Sequence, residues 1–210
     1  MQGLKIGLAA CLALVIACES APKGQQQSDK LNSAVQKLGE NASKADSNLR
    51  ITLEAYAGLI NAEGDLKAPY QSFDGSLKTC EKLVETMSVS LAKANEAAAT
   101  YFTTYEADLE KIQDEGIREQ SRAQLETRRS GYTAFQTHLQ AYIDNYKPIL
   151  AKLRARSQAL GLDLTPATIA AAKGNLDEVK KSAEEWYKRS EEIQGDVKKF
   201  LAQNAPTAAG

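Results

Sequence analysis

The chain is poor in the residues that carry chemistry. Its 210 residues include one His, one Trp and three Cys, and only 6% are aromatic. A single imidazole excludes a paired-His metal site. No Cys-x-x-Cys, Gly-rich phosphate loop or Gly-x-Ser-x-Gly is present. The formal charge is -1, without the basic excess of a sequence-independent nucleic-acid binder. No apolar run reaches the ~20 residues that a membrane-spanning helix needs. An enzyme, a bound cofactor, a metal and a nucleic-acid partner are therefore not expected.

What is present begins with a leader. A short segment carrying Lys5 precedes an apolar stretch from Ile6 to Ala17. That length suits a secretory signal. The stretch ends in Val15-Ile16-Ala17-Cys18, which resembles a bacterial lipobox. The resemblance implies a signal peptide over 1–17 and a lipid anchor on Cys18. Leu8-Ala9-Ala10-Cys11 also matches the lipobox wording, but cleavage there leaves too short an apolar region upstream. Several acyl chains at ~0.8 kcal/mol per buried CH₂ suffice for stable anchoring. Glu19, rather than Asp, follows the Cys, which favours the outer membrane over the inner. Residues 18–29 read as the lipidated N-terminus and a polar tether. Residues 203–210 read as a disordered tail.

From residue 30 to 202, apolar residues recur at alternating steps of three and four, the seam of helices that wrap one another. The first seam is Leu31, Val35, Leu38, Ala42, Ala45, Leu49, Thr52, Tyr56 and Leu59. The second runs from Leu66 through Tyr70, Phe73, Leu77, Cys80 and Val84 to Tyr101 and Tyr105. The third runs from Leu125 through Arg128, Tyr132, Tyr142, Tyr146 and Arg156 to Leu160. The fourth is Ile169, Ala172, Leu176, Val179, Ala183, Trp186, Ser190, Ile193, Val197 and Phe200. No strand alternation is sustained. The pattern predicts an all-α, elongated antiparallel four-helix bundle with a long central hairpin.

Turns fall where the phase breaks. The first is placed at Asn61 to Gly64 with Asp65 as cap, so that Pro69 lies near the start of the next helix. The second is placed near Asp114-Glu115-Gly116. The third is a Schellman stop with Gly161 left-handed and Leu162 in hydrophobic contact. Thr165 then caps the last helix ahead of Pro166, which Gly174-Asn175 could interrupt. Between Asp65 and Glu115 there are ten acids and five bases, and between Ile117 and Leu160 three acids and eight bases. Net charges of -5 and +5 favour pairing of the two long helices.

Asn61, Gly64-Asp65-Leu66 with Tyr70, Leu125-Glu126-Thr127-Arg128-Arg129 with Tyr132, and Pro148-Ile149-Leu150 form a series. It resembles an uncharacterised bacterial family, domain of unknown function 2959, over roughly Ala45 to Leu201. The resemblance implies a secreted or lipid-anchored helical protein. It brings no activity and no catalytic residue.

Few residues remain as site candidates. Arg118, Arg122 and Arg129, with Arg128, make a basic cluster beside a turn. It could meet headgroups or wall polymers, or pair with Glu106, Asp108, Glu110, Asp114 and Glu115. Tyr101, Tyr105, Tyr132, Tyr142 and Tyr146 could line an apolar pocket or simply fill the core. Cys80 sits at a seam position as a core thiol. His138 lies at a seam edge and lacks the Glu-x-x-His spacing of bundle metal sites. The leading expectation is a lipid-anchored, periplasm-facing scaffold or adaptor in the bacterial envelope. It would contact the membrane through its anchor and meet another envelope protein or itself. The alternative is a periplasmic carrier of a lipid or other apolar ligand.

Overall fold

The computed structural model describes residues 23–203. The signal peptide, both lipobox cysteines, the start of the tether and the tail from residue 204 lie outside the described residues. Four helices are present among them: α1 Lys23–Ile60, α2 Lys67–Leu109, α3 Glu115–Leu162 and α4 Pro166–Gln203. Short turns make consecutive helices antiparallel. Helix α1 packs on α2 and α4, and α3 packs on the same two. The architecture is the four-helix bundle read from the seams. No helix among the described residues is long and apolar enough to cross a membrane.

Helix α1 begins earlier than the polar composition of residues 18–29 implies. It is helical from Lys23, and Ser28 is already buried. Gln and Lys are good helix formers, and the end of α2 gives this turn a surface, with Asp108 beside Gly24. The helical body therefore starts at 23 rather than 30.

The first turn lies where the phase argument puts it. Gly64 has φ +80°, a left-handed conformation that a Cβ disfavours. The Asp65 carboxylate accepts from the Lys67 N–H at 2.9 Å, although the helix starts after Leu66. Pro69 occupies the first turn of α2, where its missing N–H costs nothing. The second turn is shifted. Helix α2 ends at Leu109, and Asp114 caps α3 by accepting from the Ile117 N–H at 2.9 Å. Gly116 is inside α3 rather than breaking a helix.

The third turn corrects a Schellman reading. Gly161 is helical, α3 runs through Leu162, and Leu162 is 90% exposed. Glycine is needed there for space. A Cβ on Gly161 would lie 2.5 Å from the Tyr70 hydroxyl, which donates to the Ser157 carbonyl at 3.2 Å. Thr165 does cap α4. Its Oγ1 accepts from the Thr168 N–H at 3.3 Å, and Thr168 Oγ1 accepts from the Thr165 N–H at 3.0 Å. This is a reciprocal cap of the box type. Helix α4 passes through Gly174-Asn175 unbroken.

The interior is organised around Trp186. Its ring lies between Tyr142 and Tyr146, with centroids 4.5 and 4.3 Å away and interplanar angles of 21° and 11°. Its Nε1–H donates to the Tyr142 carbonyl at 3.0 Å. The two tyrosine hydroxyls cross the bundle to α1. They donate to the carbonyls of Ala42 and Ala45 at 3.1 and 3.4 Å. Alanine at those positions lets a ring reach the backbone. Tyr56 makes the corresponding bond from α1 to α4, donating to the Ala172 carbonyl at 3.1 Å while stacking on Phe73. The hydroxyls of Tyr56, Tyr142 and Tyr146 thus each have a partner, as burial favours, whereas the buried Tyr187 hydroxyl has none among the described residues.

Charge fixes the α2–α3 pairing. Arg129 meets Glu106 at 2.6 Å, Arg122 meets Glu110 at 3.5 Å, and Arg154 bridges Glu81 and Asp74. Tyr132 donates to Asn95 at 2.8 Å in the same register. The acidic and basic helices therefore meet along most of their length.

Removing the central ring should be costly. Trp186→Ala is expected to lower unfolding free energy by ~3–5 kcal/mol, read from urea titrations followed by circular dichroism. Tyr146→Phe, which removes only a hydroxyl and its bond, should cost ~1 kcal/mol. Equal losses would show that the ring stack contributes nothing special.

Candidate functional site

The four helices are unequal, and the inequality makes a cleft. Helix α4 ends at Gln203 beside Gly131 of α3, where a Cβ would meet the Gln203 side chain at 3.0 Å. Beyond this level α3 continues back to Glu115 and α2 forward to Leu109. Helix α1 reaches the level of Asp108 through Gly24. Among the described residues, three helices thus continue past the level that α4 reaches. The space left is an open slot of about 1060 Å³.

The walls of the slot are mixed. Tyr101, Tyr105, Leu109 and Ile112 come from α2 and its turn. Gln120, Ser121, Gln124, Thr127 and Arg128 come from α3. Gln25 and Ser28 come from α1, and Ala202 and Gln203 close the inner end. The charged residues in the lining are Arg128 and Asp108. The Asp108 carboxylate is taken by Lys111 at 2.7 Å. Arg128 is half-buried. It donates through Nη1 to the Tyr101 hydroxyl at 2.5 Å and stands 5.9 Å from the Tyr105 ring centre. Burial pushes the Tyr101 phenol up, and the Arg128 bond partly offsets this.

The basic cluster divides at this slot. Arg129 pairs with Glu106 and Glu126, Arg122 with Glu110 and Glu119, and Arg118 with Glu115 at 3.9 Å. None of these three lines the slot. Arg128 does, and among the described residues it has no carboxylate partner. The tyrosine set divides as well. Tyr101 and Tyr105 reach the slot, whereas Tyr132, Tyr142 and Tyr146 are packed in the filled interior. Burial raises the phenol pKa of all three. The polar α3 residues Gln120, Gln124 and Thr127 carry no sequence signal of their own. Comparing helix lengths, 38 residues for α4 against 48 for α3, is what could have found them.

The remaining candidates are structural in their surroundings. Cys80 is fully buried, 3.2 Å from the Thr52 hydroxyl, and burial pushes its thiol up. A neutral thiol of that kind is a poor nucleophile. His138 is exposed, with Nδ1 2.7 Å from Asp196 across the α3–α4 seam. Among the described residues no group of three His, Cys, Asp or Glu is placed to hold a metal. A second groove of about 530 Å³ lies between α3 and α4 around Pro148 and Lys152. Arg156 turns to the Asn175 side chain at 2.8 Å.

Fold and site together define an all-α four-helix bundle with an open slot at one end. The chain belongs to the family described as Protein of unknown function (DUF2959), which it matches over residues 17–203. That match agrees with the resemblance read from its motifs. No curated protein and no solved structure matches it.

Asp74 gives the bundle a pH dependence. Lys78 at 2.6 Å, Ser157 at 2.7 Å and Arg154 at 3.6 Å hold its carboxyl below the usual carboxylate range. A lowered folded pKa stabilises the protein above the unfolded value, ~3.9, and that stability is lost as pH falls through the folded value. Asp74→Asn should therefore cost ~1 kcal/mol at pH 7 and nearly nothing at an acid pH below the folded value. Thermal melts at the two pH values check this. An equal penalty at both would remove the carboxylate from the account.

Proposed function

We propose that the protein is a lipid-anchored component of the bacterial cell envelope, facing the periplasm, whose rigid bundle serves as a scaffold or adaptor. The observation that carries this reading is the short step from anchor to body. Cys18 precedes the first helical residue, Lys23, by only five positions. At ~3.3–3.6 Å per residue, the bundle end bearing the slot stands within ~20 Å of the acylated Cys. The filled interior supports the scaffold side. Its largest side chains, Trp186, Tyr56, Tyr142 and Tyr146 among them, are fully buried, and the helix faces are left for contact with partners.

A carrier that holds its ligand among the core tyrosines would have to part the stack around Trp186. The scaffold is therefore the better reading. The role is non-enzymatic, the partners are an envelope protein or a second copy, and no nucleic acid is bound. Glu19 in place of Asp favours the outer membrane.

Growth with an alkyne-tagged palmitate should label the wild-type protein and a Cys11→Ala variant equally. Cys18→Ala should lose all label and accumulate as the unprocessed precursor. Label retained in Cys18→Ala would contradict anchoring at this residue.

A further inference from the structure

The slot at the end of the bundle is unlike the rest of the molecule. Elsewhere the arginines of α3 that face α2 are answered by acids, as Arg122, Arg129 and Arg154 show. In the slot Arg128 is half-buried, and among the described residues its partners are a phenol and a ring rather than an acid. Partly withdrawing a guanidinium from water without a counter-charge is costly. The Tyr101 hydroxyl accepts its bond from Arg128 and keeps its own hydrogen to donate. The remaining guanidinium N–H groups are free to meet oxygen. A group with several anionic oxygens fits this arrangement, because Arg recognises phosphate through a planar fork.

The α2 side of the slot carries an apolar strip beside Asp108, whose carboxylate is held by Lys111. Leu109 and Ile112 continue from the Tyr105 ring toward the α2–α3 turn. Arg128 and Tyr101 thus lie toward the end of α4, and Leu109 and Ile112 lie toward the α2–α3 turn. The occupant that matches is an amphiphile with an anionic head. A partner helix matches less well. Helix-in-groove recognition uses a continuous apolar floor, and here Gln124 and its polar neighbours on α3 interrupt it. The volume, about 1060 Å³, is at the upper end of sites for small molecules, ~300–1,000 Å³.

We propose that this slot binds the phosphoryl headgroup and adjoining acyl segment of an anionic phospholipid from the membrane that carries the protein. Arg128 and Tyr101 hold the phosphate, and Leu109 and Ile112 cover the chain. The membrane source rests on the anchoring reading above, since the slot opens at the end where α1 begins. The lipid would brace that end against the bilayer, adding a second attachment to the acyl anchor.

Native mass spectrometry of the full chain, purified in a mild detergent, tests this. Phosphatidylglycerol and phosphatidylcholine are added in turn, and the intact mass in the same spectrum reads whether Cys18 is acylated. The expected result is one retained phosphatidylglycerol per chain and little phosphatidylcholine. Arg128→Gln should reduce retention about tenfold, the weight of one charge-assisted bond. Ala123→Trp, which fills the slot from an exposed position, should abolish it. Arg118→Gln should leave it unchanged, and all three variants should keep the wild-type helical melt. Equal retention of both lipids, or equal loss in Arg118→Gln and Arg128→Gln, would overturn the slot in favour of general surface attraction. A dimer that Ala123→Trp dissociates would overturn it in favour of a self-interface. A missing acyl mass with phosphatidylglycerol still retained would overturn the anchor alone.

Discussion

Trp186 has to lie flat between two tyrosines one helical turn apart, and the bundle is built to let it. The stack spaces α4 from α3. The hydroxyls of Tyr142 and Tyr146 then set the diagonal distance to α1 by reaching the Ala42 and Ala45 carbonyls. These contacts demand small residues on α1 at 42 and 45, and Cys80 and Thr52 fill the neighbouring layer. Aromatic pairs are worth ~0.5–1.5 kcal/mol beyond their burial. A buried hydroxyl without a partner would cost about as much again or more. The arrangement thus specifies one packing of the four helices, where leucine-only seams would tolerate several.

Charge and length act around that centre. The acidic α2 and basic α3 select each other, and half-buried pairs such as Arg154 with Glu81 and Asp74 hold their register. Exposed pairs near the turn contribute little to stability and serve instead to occupy Arg118, Arg122 and Arg129. The early end of α4 then does what no single motif does. Among the described residues it leaves the start of α1, the end of α2 and the start of α3 without a fourth helix, and Arg128 without an acid. The slot at this end is a consequence of unequal helix lengths among the described residues.

Much of this was legible in the chain. Every residue of the first and fourth seams is buried, because a 3-4 repeat over several heptads admits only one inward face. The second and third seams are buried except near their ends and at Val84, Arg128 and Arg156, where side chains are partly exposed. Turn chemistry was less reliable. Gly161 reads as a stop by local rules, yet it is small because Tyr70, ninety-one positions earlier, packs against it. The Trp186 stack joins residues on different helices, and periodicity places all three inward without saying that they touch. The candidate site was legible in fragments. Tyr101, Tyr105 and the arginine cluster were visible as types, but which arginine lacked a partner depended on where α4 stops. The proposed anchor at Cys18 lies outside the described residues and is read from the leader alone.

The bundle depends on one cooperative contact, the stack of Trp186 with Tyr142 and Tyr146. A double-mutant cycle between Tyr142→Leu and Trp186→Leu, with unfolding free energies from urea titration, measures that contact directly. The stack predicts a coupling energy of ~1 kcal/mol or more between the two sites. Additivity of the two substitutions within ~0.3–0.5 kcal/mol would contradict it, since the rings would then be independent fillers of the core.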